Sequence, residues 1–263
     1  MLMMDYHLHS RFSKDGESSI DELCRAAREK GVSHVAITDH HDIDNVKWEI
    51  DDLGGYAAEI RRMRPLYPDI GIAAGIEMDY RPETWEKARG IPQRLGLDFA
   101  LLSLHFIDGV DPYLPEFFES RTQREGYTLY LERMAGMIRA TEGPWVLSHL
   151  TYVSKFARFR NTQLRYIDYK DQLEEILRLA VGKGYGLEVN ASGIKNNAGP
   201  LPDTGVLKRF RELGGEAVTV GSDAHSAENL GRWTAEATEA VREAGFRYLA
   251  VYRDLKPQFI KID

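Results

Sequence analysis

The feature that most limits what this chain can become is a repeated unit: a short apolar run, a polar cluster at its end, then a stretch of helical period. The apolar runs are Asp5–His9, Val35–Thr38, Ile70–Ile76, Phe99–Leu104, Trp145–Leu147, Gly186–Val189 and Ala217–Val220, which predicts seven strands. Helical stretches lie between them. Ser19-Ile20-Asp21-Glu22 has the Ser-x-x-Glu form of a capping box, and the helix it opens should stop at Gly31. Further helices are predicted over Asp171–Gly182, Gly205–Leu213 and Thr234–Gly245. Strand and helix alternating in this way imply parallel strands joined by helical crossovers, hence an α/β fold and a closed or nearly closed barrel. The 263 residues, 43% hydrophobic and 29% charged, are enough for one large domain with a sizeable core. No linker or repeat divides them, so a single domain over residues 1–263 is expected.

The segment Phe106 to Tyr130, rich in Pro, aromatic and acidic residues, breaks the rhythm and reads as a long loop over the site. Composition narrows the function. Cys24 is the only cysteine, which excludes an internal disulfide and a Cys-rich zinc knuckle and suits a reducing cytoplasm. No apolar run approaches the roughly 18 to 20 residues that span a bilayer, and no secretory signal is visible, so a cytoplasmic protein without a membrane partner is expected. A net charge of -7 argues against a broad grip on nucleic acid and favours a small-molecule substrate.

Six of the eight histidines fall at predicted strand ends: His7, His9, His40, His105, His149 and His225. Asp39, Glu77, Asn190 and Asp223 fall there too. In a parallel barrel the C-terminal strand ends converge on one face, so residues far apart in sequence should meet. His7 and His9, one residue apart on a strand, project from the same side and can share a metal ion. Imidazole and carboxylate without thiolate suit zinc, manganese or iron. The donors exceed what one ion needs, which points to two or three divalent ions sharing a carboxylate. Such a cluster acidifies a bridging water, neutralises phosphoryl oxygens and stabilises a leaving oxygen, the requirements of phosphoester hydrolysis.

Other phosphatase designs fit poorly. Cys24 lacks an Arg six residues on, and no Gly-x-x-x-x-Gly-Lys-Ser/Thr loop occurs. Asp42-Ile43-Asp44-Asn45-Val46 matches an Asp-x-Asp-x-Val nucleophile motif only superficially, because that motif should follow its apolar strand directly, whereas here Thr38, Asp39, His40 and His41 intervene. His34 reads as a surface residue, His41 as a packing or orienting residue, Cys24 as core, and Trp48, Trp85, Trp145 and Trp233 as core or loop anchors.

Asp5-Tyr6-His7-Leu8-His9-Ser10, Ser13-Lys14-Asp15-Gly16, Thr38-Asp39-His40 and Gly221-Ser222-Asp223-Ala224-His225 together resemble the polymerase-and-histidinol-phosphatase (PHP) family. Gly75–Tyr80, Ser103–Gly109, Glu188–Gly193 and Lys256–Phe259 look like its histidinol-phosphate phosphatases. The resemblance implies a distorted seven-stranded (β/α)7 TIM-like barrel and a trinuclear centre. By that analogy His7, His9, Glu77 and Asp223 hold one ion, Glu77, His105 and His149 a second, and Asp15, His40 and His225 a third. Asp39 and Asn190 would orient ligands from behind, and Asp223 or His225 would protonate the leaving alkoxide. For the phosphate, Lys155, Arg158 and Arg160 follow His149, and Arg is best suited to a bidentate grip. The family usually has an Arg just after the Ser-Gly of Asn-x-Ser-Gly, whereas this chain has Lys195; Arg160 and then Lys195 are the leading candidates, with Arg158. The function expected is hydrolysis of L-histidinol phosphate, with acidic residues of the Phe106–Tyr130 loop facing the substrate amine. The alternatives are a related phosphoesterase acting on nucleotides or oligonucleotide ends, and a metal-binding structural module.

Overall fold

In the computed structural model, residues 3–43 and 48–262 are described, so the Asp42–Val46 motif lies partly outside the described residues. Eight parallel strands form two sheets. β1 (Met4–Leu8), β2 (His34–Ile37) and β3 (Gly71–Ala74) make the smaller sheet, in the order β1-β2-β3. β4 (Glu77–Asp79), β5 (Leu101–Ser103), β6 (Val146–Leu147), β7 (Gly186–Asn190) and β8 (Val218–Gly221) make the larger, paired in chain order. These strands are almost wholly buried, which is why they read as continuous apolar runs and not as alternating ones.

Seven parallel strands were expected and eight are present among the described residues, because the run Ile70–Ile76 does not continue as one strand into Glu77. The chain turns at Gly75, where a Cβ would lie 2.8 Å from both the Ile37 carbonyl oxygen and Thr38 Cγ2. β3 therefore pairs with β2, while β4 pairs with β5. The sheets meet at isolated bridges, His40 with Glu77 and Leu8 with Ala224.

Helices α1 (Ile20–Glu29), α2 (Leu53–Met63), α3 (Gln123–Ala140), α4 (Lys170–Gly182), α5 (Thr204–Glu212) and α6 (Thr234–Glu243) run between the strands. The capping box at α1 forms: Ser19 Oγ accepts from the Glu22 N–H, and Glu22 accepts from the Ser19 N–H. Gly31, at φ +71°, follows the helix end. The expected Phe106–Tyr130 loop is shorter than predicted, since α3 starts at Gln123 on a second capping box, Thr122 with Glu125.

An antiparallel hairpin, β9 (Tyr248–Arg253) and β10 (Lys256–Lys261), packs at the N-terminal ends of the parallel strands. Its turn rests on Asp98, just ahead of β5, whose carboxylate accepts from the Ala74 and Asp254 N–H groups and pairs with Arg64. Tyr252 packs its ring on Phe99, which also touches Tyr6, so an aromatic cluster closes that end. Cys24 is buried, as expected. No helix among the described residues is long and apolar enough to cross a membrane.

Candidate metal centre

The opposite, C-terminal ends of the strands bring the predicted histidines and acids together. Glu77, at the start of β4, is the hub. Its Oε1 lies 2.9 Å from His149 Nε2 and 3.5 Å from His105 Nε2. Its Oε2 lies 2.9 Å from His40 Nδ1, 3.2 Å from His7 Nε2 and 3.6 Å from His9 Nε2. Asp223 Oδ1 sits 3.4 Å from His9 Nε2 and 3.7 Å from His7 Nε2. Asp15 Oδ2 is 2.9 Å from His225 Nε2 and 3.8 Å from His40 Nε2.

Among the described residues the donors fall into four overlapping groups able to hold a metal ion: His7, His9, Asp223; His7, Glu77, His149; His40, Glu77, His105; and His9, His40, His225. The division differs from the expected sets: His9 keeps its place with His7 and Asp223 but also stands with His40 and His225, beside Asp15, while His149 falls with His7 and His105 with His40. The donor set fits divalent metal. His7 Nε2, His9 Nε2 and Glu77 Oε2 are buried and make no hydrogen bond, an arrangement costly for polar atoms unless something else satisfies them. The His9 ring centroid lies 4.1 Å from that of His225 and 4.3 Å from that of His40. Burial and these neighbouring rings hold its pKa well below the usual value, which favours the uncharged ring, with one nitrogen able to bind a metal. Burial opposes ionisation of Glu77, yet the imidazoles of His7, His40 and His105 hold its carboxyl well below the ordinary range. Asp223 behaves alike, with Lys155 and His7 opposing the burial penalty.

Asp39 is fully buried and accepts four hydrogen bonds, from the backbone and hydroxyl groups of Ser10 and Ser13, at 2.7 to 2.9 Å. Ser13 Oγ in turn accepts from the His40 N–H and lies 3.3 Å from His9 Nδ1. Asp39 thus reaches the cluster through Ser13. Asn190 bonds Glu188 through Nδ2 and receives the Ser192 N–H and hydroxyl at Oδ1. His41 accepts from the Ile50 N–H, a packing role, and His34 is half-buried beside Ser33. Trp48 stands edge-on to His40.

Among the cations, Lys155 is the one turned inward: its Nζ donates to Asp223 Oδ2 at 2.8 Å. Arg158 is exposed but lines the adjoining groove of about 350 Å³ with Lys155, Phe156, Tyr113 and Asn196. Arg160 and Lys195, the two leading candidates, are exposed and outside the lining of that groove. Sequence reasoning also missed Glu188 and Asp5. Asp5, raised to about 6 by burial against several hydrogen bonds, accepts from Ser222 N and Oγ and from the Gly231 N–H, anchoring the turn that carries Asp223. An acidic residue inside a buried strand was the available signal for both.

The PHP domain family matches residues 5–192. A protein of Clostridium acetobutylicum named "Probable histidinol-phosphatase" is 28% identical over 88% of this chain and 89% of its own length. One of the same name from Thermotoga maritima is 29% identical over 95% of each. The crystal structure of histidinol phosphate phosphatase from Lactococcus lactis subsp. lactis, complexed with zinc, L-histidinol and phosphate, superposes with a TM-score of 0.87 at 25% identity, covering 97% of this chain and 98% of that one. With well over half its length matched and its histidines and acids gathered at one end of two parallel sheets, the chain belongs to the PHP domain family.

Proposed function

We propose that this protein is a metal-dependent phosphatase that hydrolyses L-histidinol phosphate to L-histidinol and phosphate. The observation that carries it is the Glu77 carboxylate, buried among five imidazoles with one oxygen free of hydrogen bonds. The names of the relatives, and the ligands in the Lactococcus structure, support the substrate. His7, His9, Glu77 and Asp223, with His105, His149, His40, His225 and Asp15, would hold two or three divalent ions, zinc, manganese or iron. Such ions supply Lewis acidity, which neutralises the phosphoryl oxygens and makes water a nucleophile near neutral pH.

The chain's own groups do the rest. Lys155 and Arg158 line the groove beside the cluster and attract the phosphate, while Arg160 and Lys195, exposed outside that lining, are the weaker candidates. Water adds to phosphorus as the bond to the substrate oxygen breaks, and that oxygen needs a proton. Asp223, held as a carboxylate by Lys155 and His7, is an acceptor, so of the two donor candidates we retain His225, in place of and not in addition to its part in holding metal. Of the loop acids, Asp108 is engaged by Arg133. Asp111 lies behind Tyr152, whose ring packs on His105 and His149, and we assign it to the substrate amine.

We also read the two sheets as one distorted seven-position barrel in which β3 and β4 share a position, the bridges Leu8–Ala224 and His40–Glu77 supporting closure. The same reading takes residues 1–263 as one domain, in the cytoplasm, acting on a small phosphate ester and not on nucleic acid. Phosphate release from histidinol phosphate, nucleoside monophosphates and a 5′-phosphorylated oligonucleotide, measured with defined metals, tests it. Histidinol phosphate is expected to give the highest kcat/KM; no release from it, with brisk release from a nucleotide or oligonucleotide end, rejects the substrate in favour of the related phosphoesterase.

A further inference from the structure

The Glu188 carboxylate, midway along β7, is fully buried and takes no part in the roles above. Its two oxygens serve two different donors of the cluster. Oε1 lies 2.6 Å from His7 Nδ1, while Oε2 accepts from the His149 backbone N–H at 2.8 Å and from Asn190 Nδ2 at 3.2 Å. His7 is on β1, and β8 runs between it and β7: β7 pairs with β8, and the chain after β8 bonds to β1 through the Asp223 N–H and the His7 carbonyl. Glu188 therefore reaches across a whole strand. It can do so because residue 221 is glycine. A Cβ there would lie 2.5 Å from Glu188 Oε1 and 2.4 Å from His7 Cβ.

We propose that Glu188 is a positioning residue for the metal centre, fixing His7 so that Nε2 faces Glu77 and Asp223 while holding the His149 backbone in place. The inference rests on the metal-centre reading above. An imidazole offers two nitrogens, and a carboxylate can only accept; bonding Nδ1 to Glu188 puts the hydrogen there and leaves the Nε2 lone pair for a metal. Nε2 of His7 is indeed the buried atom without a hydrogen bond, 3.2 Å from Glu77 and 3.7 Å from Asp223. His149 sits at φ +22°, unfavourable for a residue with a side chain, and its N–H is the one Glu188 accepts. One carboxylate thus ties together two donors that meet different oxygens of Glu77, His7 at Oε2 and His149 at Oε1.

Glu188→Gln in the full-length chain tests this. The amide has the same shape and still accepts from the His149 N–H, but its NH2 then faces His7 Nδ1 and favours the opposite tautomer. Zinc affinity, measured by competition with a chromophoric chelator, should fall roughly 10- to 100-fold, the range typical when an outer partner of a metal-bound imidazole is lost. Gly221→Ala, which keeps the carboxylate but fills its path, should weaken zinc in the same direction. Zinc affinity for Glu188→Gln within twofold of the parent overturns the proposal. A parent protein that binds no zinc overturns instead the metal-centre reading on which it rests. Should neither variant fold, long-range 1H–15N spectra of the zinc-loaded parent decide: hydrogen on His7 Nδ1 and metal on Nε2 is expected, and the reverse overturns the role.

Discussion

Asp98 and Glu77, buried carboxylates at opposite ends of the parallel strands, are treated in opposite ways. At the N-terminal end Asp98 is saturated: the Arg64 guanidinium, the Ala74 N–H and the Asp254 N–H all donate to it, and Arg253 stands 3.6 Å away. At the C-terminal end Glu77 is ringed by imidazoles, and its Oε2 makes no hydrogen bond, its near neighbours being the His40 and His7 rings at 2.9 and 3.2 Å, which pair with it only as far as they carry protons. A saturated buried charge holds backbone in place; an unsaturated one is strain that a ligand can relieve. The first belongs to the fold and the second to the chemistry.

Two substitutions test that division. Glu77→Ala removes the hub of the centre and should lower kcat/KM by roughly a thousandfold or more, since several kcal/mol of transition-state stabilisation depend on it. In chelator its melting temperature should move less than that of the Asp98 variant. Asp98→Ala strands two backbone N–H groups and a guanidinium, and should cost about 3 kcal/mol by urea unfolding, with kcat per folded molecule unchanged. If Asp98→Ala lost activity while staying folded, the two ends would not be separable as argued.

A third substitution probes a pair that is saturated yet lies at the site end. Lys155 donates to Asp223, as Arg64 does to Asp98, but beside an open groove. Lys155→Ala should reduce kcat/KM about thirtyfold, mostly through KM, for the loss of about 2 kcal/mol from a charged hydrogen bond to phosphate. A loss of stability with KM unchanged would place Lys155 with the structural group.

The contrast also explains what the sequence discloses. Parallel strands carry distant histidines to one face, so the positions of His7, His40, His105, His149 and His225 at the ends of apolar runs were enough to assemble the cluster. Glu188 and Asp5 escaped because strand ends, not strand interiors, carried the signal; their partners Gly221 and Gly231 are far away in the chain. The choice of Lys155 over Arg160 depends on which way one loop turns, which spacing does not encode. The hairpin was hidden for another reason. Its two-residue turn, Asp254-Leu255, has φ of +49° and +61°, a geometry usually announced by Asn-Gly or Asp-Gly. Leu at a positive φ breaks the local rule, and the contacts to Asp98, including the Leu255 N–H to its carbonyl, hold it there. α3 was mis-started although Thr122-x-x-Glu125 repeats the form seen at Ser19.

The smallest expected effect is the most diagnostic of the site end, because it reads the imidazoles without substrate or metal. In the metal-free protein burial lowers the pKa of His40, but Glu77, Asp15 and Asp42 outweigh it and raise it to about 9. Unfolded, the same ring titrates near 6.5. The folded state therefore keeps a proton that the unfolded state gives up, and the stability this contributes is complete below pH 6.5 and lost as pH rises through about 9. His41, lowered by burial to about 4, and His105, lowered chiefly by burial to about 3, act below that window. His7 is also raised well above the usual value, burial opposing and Glu188, Glu77 and Asp223 prevailing, so it extends the same trend upward. The melting temperature in chelator should thus fall by a few degrees between pH 6.5 and 9. With zinc it should rise over the same interval, since protons then cease to compete for the rings. Asp98→Ala should lower both curves in parallel, because nothing at its end exchanges protons with the site. A metal-free curve that stays flat would mean that Glu77 is not paired with His40, and the division between the two ends would lose its electrostatic basis.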